Sequence, residues 1–145
     1  MLGITTYANY FIADSQRLKS EQSQELQRIK TERYQEVQLL ISSMVDFQTF
    51  AAAFATEMFD QKIADKEAKT RLVENLNQQL ARLKVIENWA SPEQLGAVES
   101  YRLALMRMID VVYKTNDLIA LGDFYGTASK LTVAKNGLTK TLLSA

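Results

Sequence analysis

The chain has 145 residues, 47% of them apolar and 23% charged, the size and balance of one folded domain that buries roughly two-thirds of the surface its unfolded form exposes. Seventeen basic and seventeen acidic residues cancel, which removes the positive field that nucleic-acid binding draws on to neutralise phosphate. Histidine and cysteine are both absent, which excludes zinc fingers and zinc hydrolases, Ser-His-Asp and Cys-His nucleophile systems, conventional haem ligation, disulfides and the Glu-x-x-His motif of di-iron bundles. The expectation is a protein that is not an enzyme and that holds no metal or cofactor.

The opening Met1 to Ala13 has no basic region followed by a sustained apolar stretch, so it does not read as a signal peptide. Within it Ile4, Tyr7, Ala8 and Phe11 fall at helical spacing, a stripe that Leu18 continues seven residues further on, with Tyr10 beside it. From Ser15 to Arg33 only Leu18, Leu26 and Ile29 are aliphatic, while Glu21, Gln22, Gln24, Glu25, Gln27, Arg28, Lys30, Glu32 and Arg33 fill the remaining surface. A helix that polar is not buried in its own domain. Residues 1–34 are therefore expected to form a helical arm with an aromatic tip, and residues 35–145 a helical bundle. An unbroken helix from the tip to Phe59 would be about 80 Å long at the α-helical rise. A break near Ser20 to Gln24 would instead let the first segment pack on its own bundle.

Between Gly3 and Gly96 there is one proline, Pro92, and no glycine, so helix is the expectation throughout. Val37, Leu40, Met44, Phe47, Ala51, Phe54 and Met58 alternate steps of three and four, the apolar seam of a core-facing helix. The stretch Leu39 to Phe59 comes nearest to a membrane span, but Asp46, Gln48 and Glu57 interrupt it, and no transmembrane segment is expected. Leu72, Leu76, Leu80, Leu83, Ile86 and Ala90 repeat the seam. A connection within Asp60 to Lys66 divides the two helices, with Asp65 as N-cap of the second.

Ser91-Pro92-Glu93-Gln94 is a capping box with proline at the first helical position, and it starts a third helix. The expected buried stripe is Leu95, Val98, Tyr101, Leu105, Met108, Ile109, Val112, Asn116 and Ile119, with Gly122 as the terminator. Asn116 in that stripe reads either as a buried polar residue fixing register or as an edge residue in water. In the tail, Leu131, Ala134, Leu138 and Leu142 fit a helix, while Asn136-Gly137 between the flanking runs of Lys130–Leu142 fits a hairpin. Helix is favoured, because three helices need a fourth apolar face to close the core. The fold class expected is all-α, an antiparallel bundle of three to four long helices with a polar N-terminal extension.

Met44, Met58, Met106 and Met108 read as seam filler. Asp46, Glu57, Glu74 and Asp110 read as members of solvated faces, and Lys130, Lys135 and Lys140 as a modest basic patch. The third and fourth helices, Leu105 to Leu142 with Gly122-Asp123 between them, resemble the four-helix extracytoplasmic ligand-binding domains of bacterial chemoreceptors and sensor kinases. In those domains the Gly-Asp turn is followed by an alanine one position earlier than Ala128 stands here, and membrane spans flank the bundle, neither of which is expected from this sequence. The resemblance implies a small-ligand site between helices.

The leading expectation is a non-enzymatic interaction or assembly protein that packs helix faces against itself or a protein partner, as a structural subunit or adaptor, a homo-oligomer or a complex subunit. Its anchors would be Ile4, Tyr7, Tyr10, Phe11 and Leu18, since aromatic side chains in a buried patch carry interface energy. A tip lying in a membrane interface is a weaker expectation, because tryptophan and a lysine-rich face are missing there. The same helices would also suit a ligand-sensing bundle, or a small inhibitor that occludes a partner's surface. With Met1 as a natural start the expected location is the cytoplasm, or a particle assembled there; an extracytoplasmic site is compatible with the absence of thiols.

Overall fold

The computed structural model describes the backbone of residues 2–144 and the side chains of residues 12–144. It contains four helices: α1 (Leu2–Gln61), α2 (Lys66–Glu87), α3 (Pro92–Lys114) and α4 (Leu121–Leu143). The fold is all-α, and no strand forms among the described residues, whose one β-bridge pairs Ile63 with Asp117. The chain divides into two compact units, residues 1–35 and residues 36–145.

The larger unit is a four-helix bundle. Its contribution from α1 is the seam read from the sequence: Val37, Leu40, Met44, Phe47, Phe54 and Met58 are buried and Ala51 packs against them. α2 adds Ala68, Leu72, Leu76, Leu83 and Ile86, with Leu80 at its margin, and Ala90, expected to continue this seam, lies in the connection beyond Glu87. α3 adds Val98, Tyr101, Leu105, Met108 and Val112, and α4 adds Leu121, Phe124, Leu131, Leu138 and Leu142. Cross-helix contacts set the directions. Ser43 meets Asn75 while Glu36 meets Trp89, so α1 and α2 run antiparallel. Gln79 meets Tyr101 while Lys69 meets the carbonyl of Tyr113, so α2 and α3 do as well. The Phe54 and Phe124 rings lie 5.2 Å apart, tilted by 44°, which joins α1 to α4.

The caps explain where α2 and α3 begin. Asp65 accepts a hydrogen bond from the Ala68 N–H at 2.9 Å. Ser91 and Gln94 form the reciprocal capping box, 3.2 Å from Gln94 N to Ser91 Oγ and 2.9 Å from Ser91 N to Gln94 Oε1, so two amides that a helix start leaves orphaned are satisfied. α1 ends on Lys62, whose φ of 68° lies in the left-handed region and whose N–H reaches the Met58 carbonyl at 2.8 Å. Glycine usually fills that position; a lysine there leaves the turn unmarked in the sequence.

The expectation for the third helix is corrected, while the tail takes the helix favoured for it. The third helix does not run to Gly122; it stops at Lys114, and Thr115 to Ala120 form the connection. Thr115 turns into extended backbone while its Oγ1 donates to the Val111 carbonyl at 2.6 Å, and Asp117 accepts from the Ala120 N–H at 3.1 Å. Side chains that hydrogen-bond nearby backbone compete with the helix ladder, and Thr115-Asn116-Asp117 is a run of such residues. Asn116 and Ile119 consequently lie outside the helix and are exposed, Ile119 by 93%, and Leu95 is also partly exposed. Gly122, Gly126 and Gly137 sit inside α4 rather than at its boundary. The tail is helix to Leu143, and the hairpin over Lys130–Leu142 does not form.

Candidate interaction surfaces

In the smaller unit the α1 backbone is helical through 20–24, with no break there. Ile4, Tyr7, Tyr10 and Phe11, the expected anchors, have side chains outside the described residues. Leu18, the fifth, is 48% exposed. Over 12–35 nearly every side chain is exposed, and Ile12, Leu26 and Tyr34 are large apolar groups among them.

Polar pairs decorate this segment in two matching sets. Arg17 lies 2.8 Å from Asp14 and 4.0 Å from Glu21. Arg28 is bonded to Glu25, with Nε to Oε2 at 3.1 Å, and lies 2.6 Å from Glu32. The hydrogen bond from Arg28 is the main reason the Glu25 carboxyl sits below its ordinary pKa, and the same bond holds the Arg28 guanidinium above its own. The two sets exist because the sequence repeats. Asp14-Ser15-Gln16-Arg17-Leu18-Lys19-Ser20-Glu21 returns eleven residues later as Glu25-Leu26-Gln27-Arg28-Ile29-Lys30-Thr31-Glu32. Reading residue classes one at a time misses this; a search for internal periods finds it. Eleven residues in three turns is about 3.67 per turn, close enough to the α-helical period that equivalent residues keep one face.

The bundle interior contains a polar ladder that apolar periodicity could not show. Asn75 donates to the Ser43 carbonyl at 2.9 Å, Gln79 donates to Asn75 Oδ1 at 2.8 Å, and the Tyr101 hydroxyl donates to Gln79 Oε1. Arg82 Nε donates to Ser43 Oγ at 3.1 Å. Every member has a partner, which is the condition under which buried polar groups are tolerated. Burial pushes the Tyr101 phenol well above its ordinary pKa of 10.0. At the end of the bundle that carries the Lys62–Asp65 turn, the partly buried Lys69 donates to the Tyr113 carbonyl at 2.8 Å and to Asn116, binding the start of α2 to the end of α3. Desolvation lowers its pKa.

Met44, Met58 and Met108 are core, whereas Met106 is 53% exposed and is not seam filler. Asp46 and Glu74 line one open groove of about 430 Å³ together with Phe50, Arg71, Asn75 and Gln78. Asp110 pairs with Lys114 at 3.0 Å in solvent. Glu57 departs from the expectation of a solvated face, because its Oε2 is buried without a hydrogen-bond partner. A cavity between α1, α3 and α4, lined by Phe47, Tyr101 and Leu131 among others, measures about 10 Å³, the room of about one water. Among the described residues no group of three acidic, histidine or cysteine side chains could hold a metal ion. By length and composition alone the Ile12–Gln61 part of α1 contains a stretch able to cross a membrane; its Leu40, Met44, Phe47, Phe54 and Met58 are buried in the bundle core.

The position of Gly122-Asp123 also bears on the sequence resemblance. In place of a turn between two helices, these residues form the first turn of α4. Comparison with protein-family models, with curated proteins and with solved structures finds no match for this chain.

Proposed function

We propose that this chain is a non-enzymatic helical interaction protein that packs helix faces against copies of itself or against a protein partner, as a structural subunit or adaptor. The observation that carries the reading is the mismatch in helix length and burial. α1 has 60 residues against 22 in α2 and 23 in each of α3 and α4, and its 12–35 stretch leaves Leu18, Leu26 and Tyr34 in water. A helix that buries no apolar stripe draws little stability from packing and depends on local pairs or on a partner.

Light scattering on the full chain and on a chain beginning at Gln35 tests this. The full chain is expected to be an oligomer, or to capture a protein partner, and the truncated chain a monomer with the bundle intact. Tyr7→Ala with Phe11→Ala should likewise abolish association while helix content and melting temperature stay nearly unchanged. Unfolding of that double variant would place the tip in the domain core and defeat the reading.

A further inference from the structure

Resting on that reading, we infer that the occupant of the 12–35 helix face is the same segment of a second copy, lying parallel and in register. At 100° per residue, Leu18, Gln22, Leu26, Ile29 and Arg33 share one narrow stripe. Asp14 and Glu25 border it on one side; Lys19 and Lys30, each five residues later and about 140° round the helix, border it on the other. Glu21 and Glu32 extend the acidic side, where Arg17 and Arg28 hold their carboxylate neighbours in ion pairs. No acid stands three or four places from Lys19 or Lys30, so neither lysine has an intrahelical partner on its own face.

Such an arrangement has a preferred partner. In a parallel pair related by a twofold axis along the helices, the acidic border of one copy meets the basic border of the other at both edges, giving Asp14 to Lys19 and Glu25 to Lys30 contacts in both directions. In an antiparallel pair like borders meet, and acid faces acid while lysine faces lysine. Charges flanking an apolar seam set partner and orientation in just this way, and the seam here, three aliphatic residues (Leu18, Leu26 and Ile29) over about four turns, is narrow enough to suit two strands. The eleven-residue period predicts a nearly straight or slightly right-handed pair. Gln22, the polar residue in the middle of the stripe, faces its own copy and fixes register, as single amides do in other helical pairs.

The chain has no cysteine, so single introduced thiols report neighbours without background. In the full chain, Ser15→Cys and Ile29→Cys, oxidised separately, should each give a disulfide-linked dimer at a concentration where the unmodified protein is dimeric by light scattering. An antiparallel pair cannot satisfy both, because those two levels lie about 21 Å apart along the helix. Crosslinking between the two variants in a mixture, without crosslinking of either alone, would overturn the parallel arrangement while leaving the assembly reading intact. Lys19→Glu with Lys30→Glu should weaken self-association about tenfold or more, and mixing with Asp14→Lys plus Glu25→Lys should restore a heterodimer. Circular dichroism must show the bundle folded in both variants. A wild-type chain that stays monomeric throughout and captures no partner defeats the inference and the assembly reading together; a monomer that captures a different protein defeats only the inference.

Discussion

Residues 37–58 and residues 12–35 belong to one helix and are held by different physics. The first stretch puts a large apolar side chain into the core at nearly every seam position: Leu40, Phe54 and Met58 are fully buried and Phe54 lies against Phe124. The second buries almost nothing and carries a repeated set of arginine-centred ion pairs in solvent. The bundle helices can therefore tolerate poor local helix formers, because tertiary packing supports them. The 12–35 stretch has only its composition, its side-chain pairs and any outside partner.

The largest expected effect tests that division directly. Phe54→Ala removes a fully buried ring and should destabilise the bundle by about 3–5 kcal/mol, read as a large fall in the denaturation midpoint. At a concentration low enough for the chain to be monomeric, where a second copy adds no stability, Leu26→Ala deletes a side chain that is 62% exposed and should move the same midpoint by no more than about 0.5 kcal/mol. A comparable loss from Leu26→Ala would mean that the 12–35 face is packed within the folded chain, and the contrast would fail.

Next comes the polar ladder. Tyr101→Phe leaves Gln79 Oε1 without its donor and should cost about 1–3 kcal/mol. The pH dependence follows from the raised phenol pKa. The folded protein keeps this proton after the unfolded chain has begun to lose it, so stability is unaffected below the ordinary value of 10.0 and falls as pH rises above it. Urea melts of wild type and Tyr101→Phe between pH 8 and about pH 11 should converge as the wild type loses this increment. Parallel curves across that range would show that Tyr101 ionises freely in the folded state.

Most of the bundle is legible in the sequence because burial follows period. The seams of α1 and α2 can be read almost residue for residue, and Asp65 and Ser91-Pro92-Glu93-Gln94 announce two helix starts by hydrogen-bonding chemistry that is local. Features that depend on tertiary context are not legible. Asn75 and Gln79 look like solvent residues until Ser43 and Tyr101 on neighbouring helices supply their partners. The end of α3 is misplaced when Gly122 is weighted over Thr115-Asn116-Asp117. Of the anchors expected in the arm only Leu18 falls among the described side chains, and the pattern that gives that face its orientation, Asp14 and Lys19 returning as Glu25 and Lys30, is a period rather than a composition.

The smallest expected effect concerns glycine, and it separates the regions again. Residues 12–35 contain none, whereas α4 contains Gly122, Gly126 and Gly137 inside one helix. A glycine costs a helix about 0.5–1 kcal/mol relative to alanine, mostly by leaving the unfolded chain too free. α4 can carry that cost because Leu121, Phe124, Leu131, Leu138 and Leu142 anchor it to the core. A Cβ at Gly126 or Gly137 would meet nothing within 4 Å, and neither glycine has positive φ. Gly126→Ala and Gly137→Ala should each therefore stabilise the bundle by about 0.5–1 kcal/mol, additively since the sites are eleven residues apart. Calorimetry of the single and double variants reads this as two small, equal increments in melting temperature. A decrease would mean that a partner or a second copy approaches the α4 backbone at these positions, and the search for the interface would then move from 12–35 to the bundle itself.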